Sequence, residues 1–312
     1  MSKKILVLGD MVPSAEMAEL EKQYRLIHAY EDEALQQAIA EHGEEIEGIV
    51  SMYGNPVDKA LLDQLPELKI IAQFAVGFDN IDIETARGRS IAVTNTPDVL
   101  TADTADTALA LLLAVLRRVV ECDQFFRQGT WLEETMPLGR SMSGKKVGIV
   151  GLGRIGQAIA KRCASFEMHV SYFGPREKPD FPYTYYNDLR SLAEESQVLI
   201  LSCSATEQTR HLMNADILQA LGAQGVLINV ARGSVVKQDD LLAALQNKVI
   251  AGAGLDVYES EPCCPKELIS MDNVVLLPHI GSATIETRSS MGRLVIDNLN
   301  AFFDGKPLIT PV

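Results

Sequence analysis

A chain of 312 residues, 47% hydrophobic and 22% charged, is long enough for two ordinary domains and has the composition of a soluble globular protein. A formal net charge of −14 and a pI near 4.8 argue against a broadly basic face for nucleic acid or an anionic membrane, but leave room for a locally positive pocket. Five cysteines without CxxC spacing suit a reducing compartment, so a cytoplasmic location is expected, and the adjacent Cys263-Cys264 pair reads as surface or half-buried thiols, with a redox role open. Lys3-Lys4 leads directly into a strand pattern, which leaves no room for a targeting segment, and no run approaches the ~18 apolar residues of a membrane helix.

In the first hundred residues, short apolar runs at 5–8, 24–27, 48–51, 69–74 and 91–93 alternate with helical patterns at 15–21, 33–41 and 58–65. That alternation predicts a parallel sheet with helices on its faces. The acidic crowding over 31–47 reads as a solvated helix face. Ala75-Val76-Gly77 follows a strand's carboxyl end, where open α/β sheets place ligands, and the turn's amides are suited to a small anion. A plain loop glycine is the other reading. Residues 102–120 predict one long helix, apolar almost all round over its second half and therefore buried. Residues 128–143 read as an exposed excursion that holds the only tryptophan, Trp131, as an interface anchor.

A second alternating unit starts at Lys145, with strands predicted at 147–150, 169–173, 198–202, 226–230, 250–255 and 274–277. Its first strand runs into Gly151-Leu152-Gly153-Arg154-Ile155-Gly156 and then a helical pattern. In that setting Gly151 permits a tight turn, Gly153 clears space for a pyrophosphate and Gly156 lets helix and strand pack closely. The amides at the helix start and the helix dipole favour phosphate there. A long helix over 284–304 and a tail at 308–309 return the chain to the first domain.

An acid for the adenosine ribose is expected at the end of the second strand, about 20 residues past the glycines. Gly174 stands there instead, with Arg176 two residues on. Loss of the carboxylate relieves repulsion of a 2′-phosphate, and a guanidinium binds one through paired hydrogen bonds. This predicts NADP(H) over NAD(H); the alternative is that Arg176 is a solvated loop residue and the acid sits elsewhere, as at Glu177. Three polar clusters follow later strands: Asn229-Val230-Ala231-Arg232-Gly233, Gly254-Leu255-Asp256 through Glu261-Pro262, and Leu277-Pro278-His279-Ile280-Gly281. An arginine that grips a carboxylate, a histidine that exchanges a hydroxyl proton and a glutamate that orients the histidine suit hydride transfer to a keto acid. Singly, each also has an ordinary structural reading. His28, His42, His169 and His211 are read as structural, no spacing suggests a metal site, and no tyrosine precedes a lysine by four residues as a short-chain dehydrogenase would need.

Taken together, Gly151 to Gly156, Asn229 to Gly233, Gly254 to Val257 with Glu261-Pro262, and Leu277 to Gly281 resemble the D-isomer-specific 2-hydroxyacid dehydrogenases. The likeness runs the length of the chain. It is closest to NADPH-preferring hydroxypyruvate, glyoxylate and hydroxyphenylpyruvate reductases, the last through Thr96 to Thr101 and Tyr183 to Tyr186.

The resemblance implies two doubly wound parallel-sheet α/β domains, a Rossmann cofactor domain (100–284) inserted into a discontinuous flavodoxin-like substrate domain (1–99 and 285–312). It implies that Arg232 binds substrate, His279 is the acid/base and Glu261 its partner. The cofactor set would be Leu152, Arg154 and Ile155 at the glycine turn, Val230, Gly281, and Asp256 at the nicotinamide carboxamide. Val76 and Gly77 would hold the substrate carboxylate and Met52 would line the pocket. The implied partner is a small 2-keto or 2-hydroxy acid, with no nucleic acid or membrane, in a homodimer formed through the cofactor domain. A cofactor-sensing binding protein of the same fold, and a formate dehydrogenase (where Glu261 would be glutamine), are the rival readings.

Overall fold

Runs three to six residues long, most of them rich in aliphatic and β-branched side chains, set the strands of both halves of the chain. The computed structural model describes residues 2–262 and 265–312, so Cys263 and Cys264 lie outside the described residues. Two compact units are present: Met1–Leu100 with Ser282–Val312, and Thr101–Gly281.

In the first unit, β1 (Lys4–Val7), β2 (Arg25–His28), β3 (Ile46–Ser51), β4 (Ile70–Gln73) and β5 (Ala92–Thr94) form a five-stranded sheet in the order β2-β1-β3-β4-β5. Every pairing is parallel. Helices α1 (Ser14–Gln23), α2 (Asp32–His42), α3 (Lys59–Asp63), α4 (Ile83–Gly88) and α12 (Ile285–Phe303) flank it. The central strands β1 and β4 are buried on both faces, as continuous apolar runs in a covered parallel sheet require. Asp58 and Asp82 cap α3 and α4, each carboxylate accepting a backbone N–H at 2.9 Å. In the acidic stretch, Glu47 is not merely solvated, since it bridges Lys3 (2.8 Å) and Lys69 (2.7 Å).

The chain's last residues close this unit. Pro311 bridges Thr94, and Val312 N–H donates to Val93 O at 3.0 Å. Asn298, 1% exposed on α12, fixes the tail: its Oδ1 accepts from Ile309 N (3.0 Å) and Thr310 N (3.1 Å), while its Nδ2 donates to Thr310 Oγ1 (2.9 Å) and Leu294 O (2.8 Å).

The second unit opens with α5 (Thr101–Arg117) and α6 (Val119–Arg127). One continuous helix was the expectation from the sequence, and the structure corrects it. Arg118 adopts the left-handed conformation (φ 54°), which interrupts the backbone ladder, and its guanidinium pairs with Glu121 in the first turn of α6. Only one stripe of α5 is buried, including Ala108, Leu109, Leu111, Leu112 and Leu116. After the exposed 128–143 segment come β6 (Lys146–Val150), α7 (Arg154–Ser165), β7 (His169–Phe173), β8 (Thr184–Tyr186), α8 (Leu189–Glu195), β9 (Val198–Leu201), α9 (Ala215–Leu221), β10 (Val226–Asn229), α10 (Gln238–Gln246), β11 (Gly252–Leu255), α11 (Lys266–Ile269) and β12 (Val274–Leu276).

Their sheet order is β12-β11-β10-β9-β6-β7-β8, parallel throughout. This is a dinucleotide-fold order with one added strand, and it reverses between β6 and β9, where such sheets leave a ligand crevice at the strands' carboxyl ends. The sequence pattern missed β8, a three-residue edge strand.

Replacing Asn298 with alanine leaves the part-buried Ile309 and Thr310 N–H groups without their acceptor. The expected loss is roughly 2–4 kcal/mol of unfolding free energy, read from urea denaturation. Stability equal to wild type would show that the tail contributes little to the first unit.

Candidate active site

The glycine turn is built by close backbone contact. Gly151 has φ 95°, and a Cβ there would lie 2.6 Å from Cys203 Cα. A Cβ on Gly156 would lie 2.0 Å from Gly151 O, the same oxygen that accepts from Ser202 Oγ at 2.8 Å. Gly151 and Gly156 therefore let β6, the turn and α7 pack against one another, so neither position admits a side chain. Gly153 differs, since a Cβ there meets nothing within 4 Å. It caps α7, whose first residues are Arg154 and Ile155, beside open space. Leu152, by contrast, is 3% exposed and packs into the core below the turn. An open cradle at a helix start fits a pyrophosphate.

Next to this turn, Val150 pairs with Phe173 in register, and Gly151 N–H donates to Phe173 O at 2.9 Å. Gly174 consequently stands beside the glycine turn, again with nothing within 4 Å of a built Cβ. Arg176 is exposed on the following loop.

Arg232, Asp256 and His279 follow β10, β11 and β12, three adjacent strands whose carboxyl ends share one sheet edge. Asn229 shapes the first loop: its Oδ1 accepts from Ala231 N and its Nδ2 donates to Arg232 O, both at 3.0 Å. Arg232 Nη1 donates to Ala231 O at 2.9 Å, and Val230 is buried beneath. A Cβ on Gly233 would fall 1.8 Å from Tyr258 C, so the arginine loop lies directly on the Tyr258–Glu259 backbone.

Asp256 is 2% exposed, and its carboxylate accepts from Ile280 N (2.7 Å) and Gly281 N (2.8 Å). Burial pushes its carboxyl up, against the opposing pull of those two N–H groups and of His279. Within the second unit, Asp256 thus anchors the loop that carries His279; a side chain on Gly281 would crowd Asp256 Oδ2 at 3.0 Å.

Glu261 joins the loops. One carboxylate oxygen accepts from Tyr258 N at 2.8 Å and the other lies 2.6 Å from His279 Nδ1. Burial would raise its pKa, but the hydrogen bond and charge of His279, the Tyr258 N–H and the Arg232 charge together hold it below the usual carboxylate range. Glu261 therefore remains an anion, and the imidazole edge bearing Nε2 is the one it does not engage. His279 itself is left-handed (φ 55°), a conformation uncommon outside glycine and concentrated at functional positions.

In the first unit, Thr96 N–H donates to Ala75 O (2.9 Å) and Asn95 Nδ2 to Val76 O (2.9 Å), fixing the peptide planes that carry the Val76 and Gly77 N–H groups of the expected anion turn, while Gln73 Nε2 donates to Gly77 O (3.0 Å). Met52 is 2% exposed, and its thioether packs where a Gly9 side chain would stand.

Sequence reasoning missed three supports of the site. Tyr258 Oη donates to Leu277 O at 2.9 Å. His211, read as structural, places Nε2 2.7 Å from Glu259 Oε1 on the loop that carries Glu261. Lys178 Nζ donates to Leu152 O at 2.6 Å. All three join residues 19 or more positions apart, a separation that local pattern does not reveal. Among the described residues no His/Cys/Asp/Glu group suits a metal ion, and no helix is long and apolar enough to cross a membrane.

Residues 109–281 match the family described as D-isomer specific 2-hydroxyacid dehydrogenase, NAD binding domain. The chain is 46% identical over 294 residues to a hydroxyphenylpyruvate reductase of Plectranthus scutellarioides, covering 94% of each. It is 45% identical over 308 residues to a 2-ketogluconate reductase of Gluconobacter oxydans, covering 99% of this chain and 98% of the relative. Its fold superposes with a TM-score of 0.94 on the NADPH-dependent glyoxylate/hydroxypyruvate reductase of Sinorhizobium meliloti, solved with NADP and malonate, at 41% identity and with 100% and 97% of the two chains covered. With the glycine cradle and the Glu261–His279 pair at the ends of neighbouring strands, these likenesses place the chain in the D-isomer-specific 2-hydroxyacid dehydrogenase family, oxidoreductases of keto acids that use a nicotinamide cofactor.

Proposed function

We propose that the protein reduces small 2-keto acids such as glyoxylate, hydroxypyruvate and aryl pyruvates to D-2-hydroxy acids, with NADPH as the preferred cofactor. The observation that carries this reading is the Glu261 carboxylate, 2.6 Å from His279 Nδ1 and within the field of Arg232. The bound nicotinamide supplies the hydride. Arg232 binds the substrate carboxylate and polarises the adjacent ketone. His279, protonated and oriented by Glu261, gives a proton from Nε2 to the developing alkoxide. In the first unit, the fixed peptide planes of Val76 and Gly77 suit a carboxylate, and Met52 shapes the acid's surroundings. The relatives named as reductases favour turnover over a cofactor-sensing role without it, and glutamate at 261 disfavours a formate dehydrogenase.

Arg232→Ala removes the charged partner of the carboxylate and is expected to cost roughly 2–5 kcal/mol of transition-state binding. His279→Ala lowers kcat by at least about 10²-fold. Glu261→Gln removes the anion that orients the ring through Nδ1 and is expected to lower kcat roughly 10-fold or more with KM for the keto acid little changed. A kcat unchanged in Glu261→Gln would show that the pair is not coupled.

Gly174 and Arg176 support the cofactor choice. Arg176→Ala is expected to weaken NADPH use selectively, and Gly174→Asp, whose side chain enters open space, to shift preference toward NADH. Equal kcat/KM of the wild type with both cofactors would defeat this assignment.

For assembly, the second unit exposes Val119 (51%), Phe126 (63%), Trp131 (67%), Leu132 (91%) and Leu138 (95%), with the Phe126 and Trp131 rings 5.7 Å apart. Apolar side chains on this scale suit burial against a second copy of the chain. Sedimentation equilibrium should give a dimer that Trp131→Glu weakens; a monomeric wild type at micromolar concentration would overturn it.

A further inference from the structure

The loop after β7 is tied down more firmly than an exposed connection needs. Lys178 N–H donates to the hydroxyl of Tyr172, a residue 1% exposed, at 2.6 Å. Tyr185 Oη donates to Gly174 O at 3.1 Å. Lys178 Nζ then reaches back to Leu152 O at 2.6 Å, an oxygen that also accepts from Gln157 Nε2 at 3.1 Å. The ammonium is therefore held at the middle of the glycine turn, next to Gly153 and beside the strand end that leads into Gly174, the two positions where a Cβ would meet open space. An ammonium has three N–H donors, and among the described residues Leu152 O is the only acceptor of Lys178 Nζ. No carboxylate lies within ion-pair distance of it or of Arg176 among those residues. Two cations with no ion pair among the described residues, in a chain of net charge −14, stand beside the open space at Gly153 and Gly174.

We propose that Lys178 is a second ligand of the adenosine 2′-phosphate, a specificity residue that acts with Arg176. This rests on the reading that the protein prefers NADPH. The two cations differ in kind. Arg176 offers a planar fork from an exposed loop, whereas Lys178 offers a point charge pre-positioned by Leu152 O and Tyr172, so little ordering is left for binding. A phosphate monoester dianion takes the two remaining ammonium hydrogens as charge-assisted bonds. A bare ribose hydroxyl in NADH gives the ammonium a far weaker partner. Selectivity follows from that difference.

The test is equilibrium binding of NADPH, NADH and 2′-AMP, followed by quenching of Trp131 fluorescence and by calorimetry, in wild type, Lys178→Met and Lys178→Arg. Lys178→Met keeps the stem and removes the charge. It is expected to raise the Kd for NADPH and 2′-AMP on the order of 10- to 100-fold, with a far smaller change for NADH, and Lys178→Arg is expected to recover much of the loss. If Lys178→Met weakens NADPH and NADH alike, Lys178 only ties the loop to the glycine turn and the proposal is overturned. A wild-type preference for NADPH that survives intact in Lys178→Met also overturns it, and leaves the cofactor reading standing on Arg176. A wild type that binds both cofactors equally defeats the cofactor reading and this assignment with it.

Discussion

The Glu261 carboxylate is the interaction on which the second unit's site depends, because its two oxygens join segments that the sequence separates. One oxygen holds its own loop through Tyr258 N–H and the other holds the His279 ring. A half-buried carboxylate with one partner would be costly and would tend to take up a proton. With the His279 ring, the Tyr258 amide and the Arg232 charge around it, the anion is the favoured form despite burial. The arrangement is mutual: the anion fixes which imidazole nitrogen faces away from Glu261, and the imidazole keeps the carboxylate ionised.

That geometry has to be held at a sheet edge made of loops, and the surrounding contacts show how. Gly233 lets the Arg232 loop lie on the Tyr258–Glu259 backbone with no side chain between. Asp256 grips the two amides after His279, Tyr258 Oη reaches Leu277 O, and His211 holds Glu259 from the loop after β9. The left-handed backbone of His279 is tolerated because both sides of it are bound. Each support alone is a modest hydrogen bond; their combined effect is to remove alternative positions for three chemical groups.

Much of this was legible in the sequence where local pattern and chemistry coincide. The strands of both sheets are short aliphatic runs, and all five in the first unit and six of the seven in the second follow from alternation alone. Gly151 and Gly156 were readable because each answers a specific steric demand of the packed turn, and Gly153 because it leaves open space at the helix start. The failures are equally physical. The turn at Arg118 comes from a single residue in a left-handed conformation that an apolar pattern does not encode. The β8 strand is three residues on an edge, too short for periodicity to register. For Asp256, which the resemblance implies as a nicotinamide contact, the sequence did not reveal a further role in the structure, the anchoring of Ile280 and Gly281. That role depends on a contact 24 residues away.

Charge explains how so acidic a chain comes to bind anions. A net charge of −14 repels a dinucleotide and a keto acid at long range, but at about 0.15 M salt that field is largely screened beyond ~8 Å. Inside that distance, fixed local donors decide. On the proposed reading these are, at the glycine turn, the amides at the start of α7 with Arg154, and Lys178 held at Leu152 O, and, at the strand ends, Arg232 and the His279 ring. Acidic groups near these positions are already committed: Asp256 to two backbone amides, Glu261 to Tyr258 and His279, Glu259 to His211. Their charge is turned inward to hold loops, and the groups they hold present the positive face.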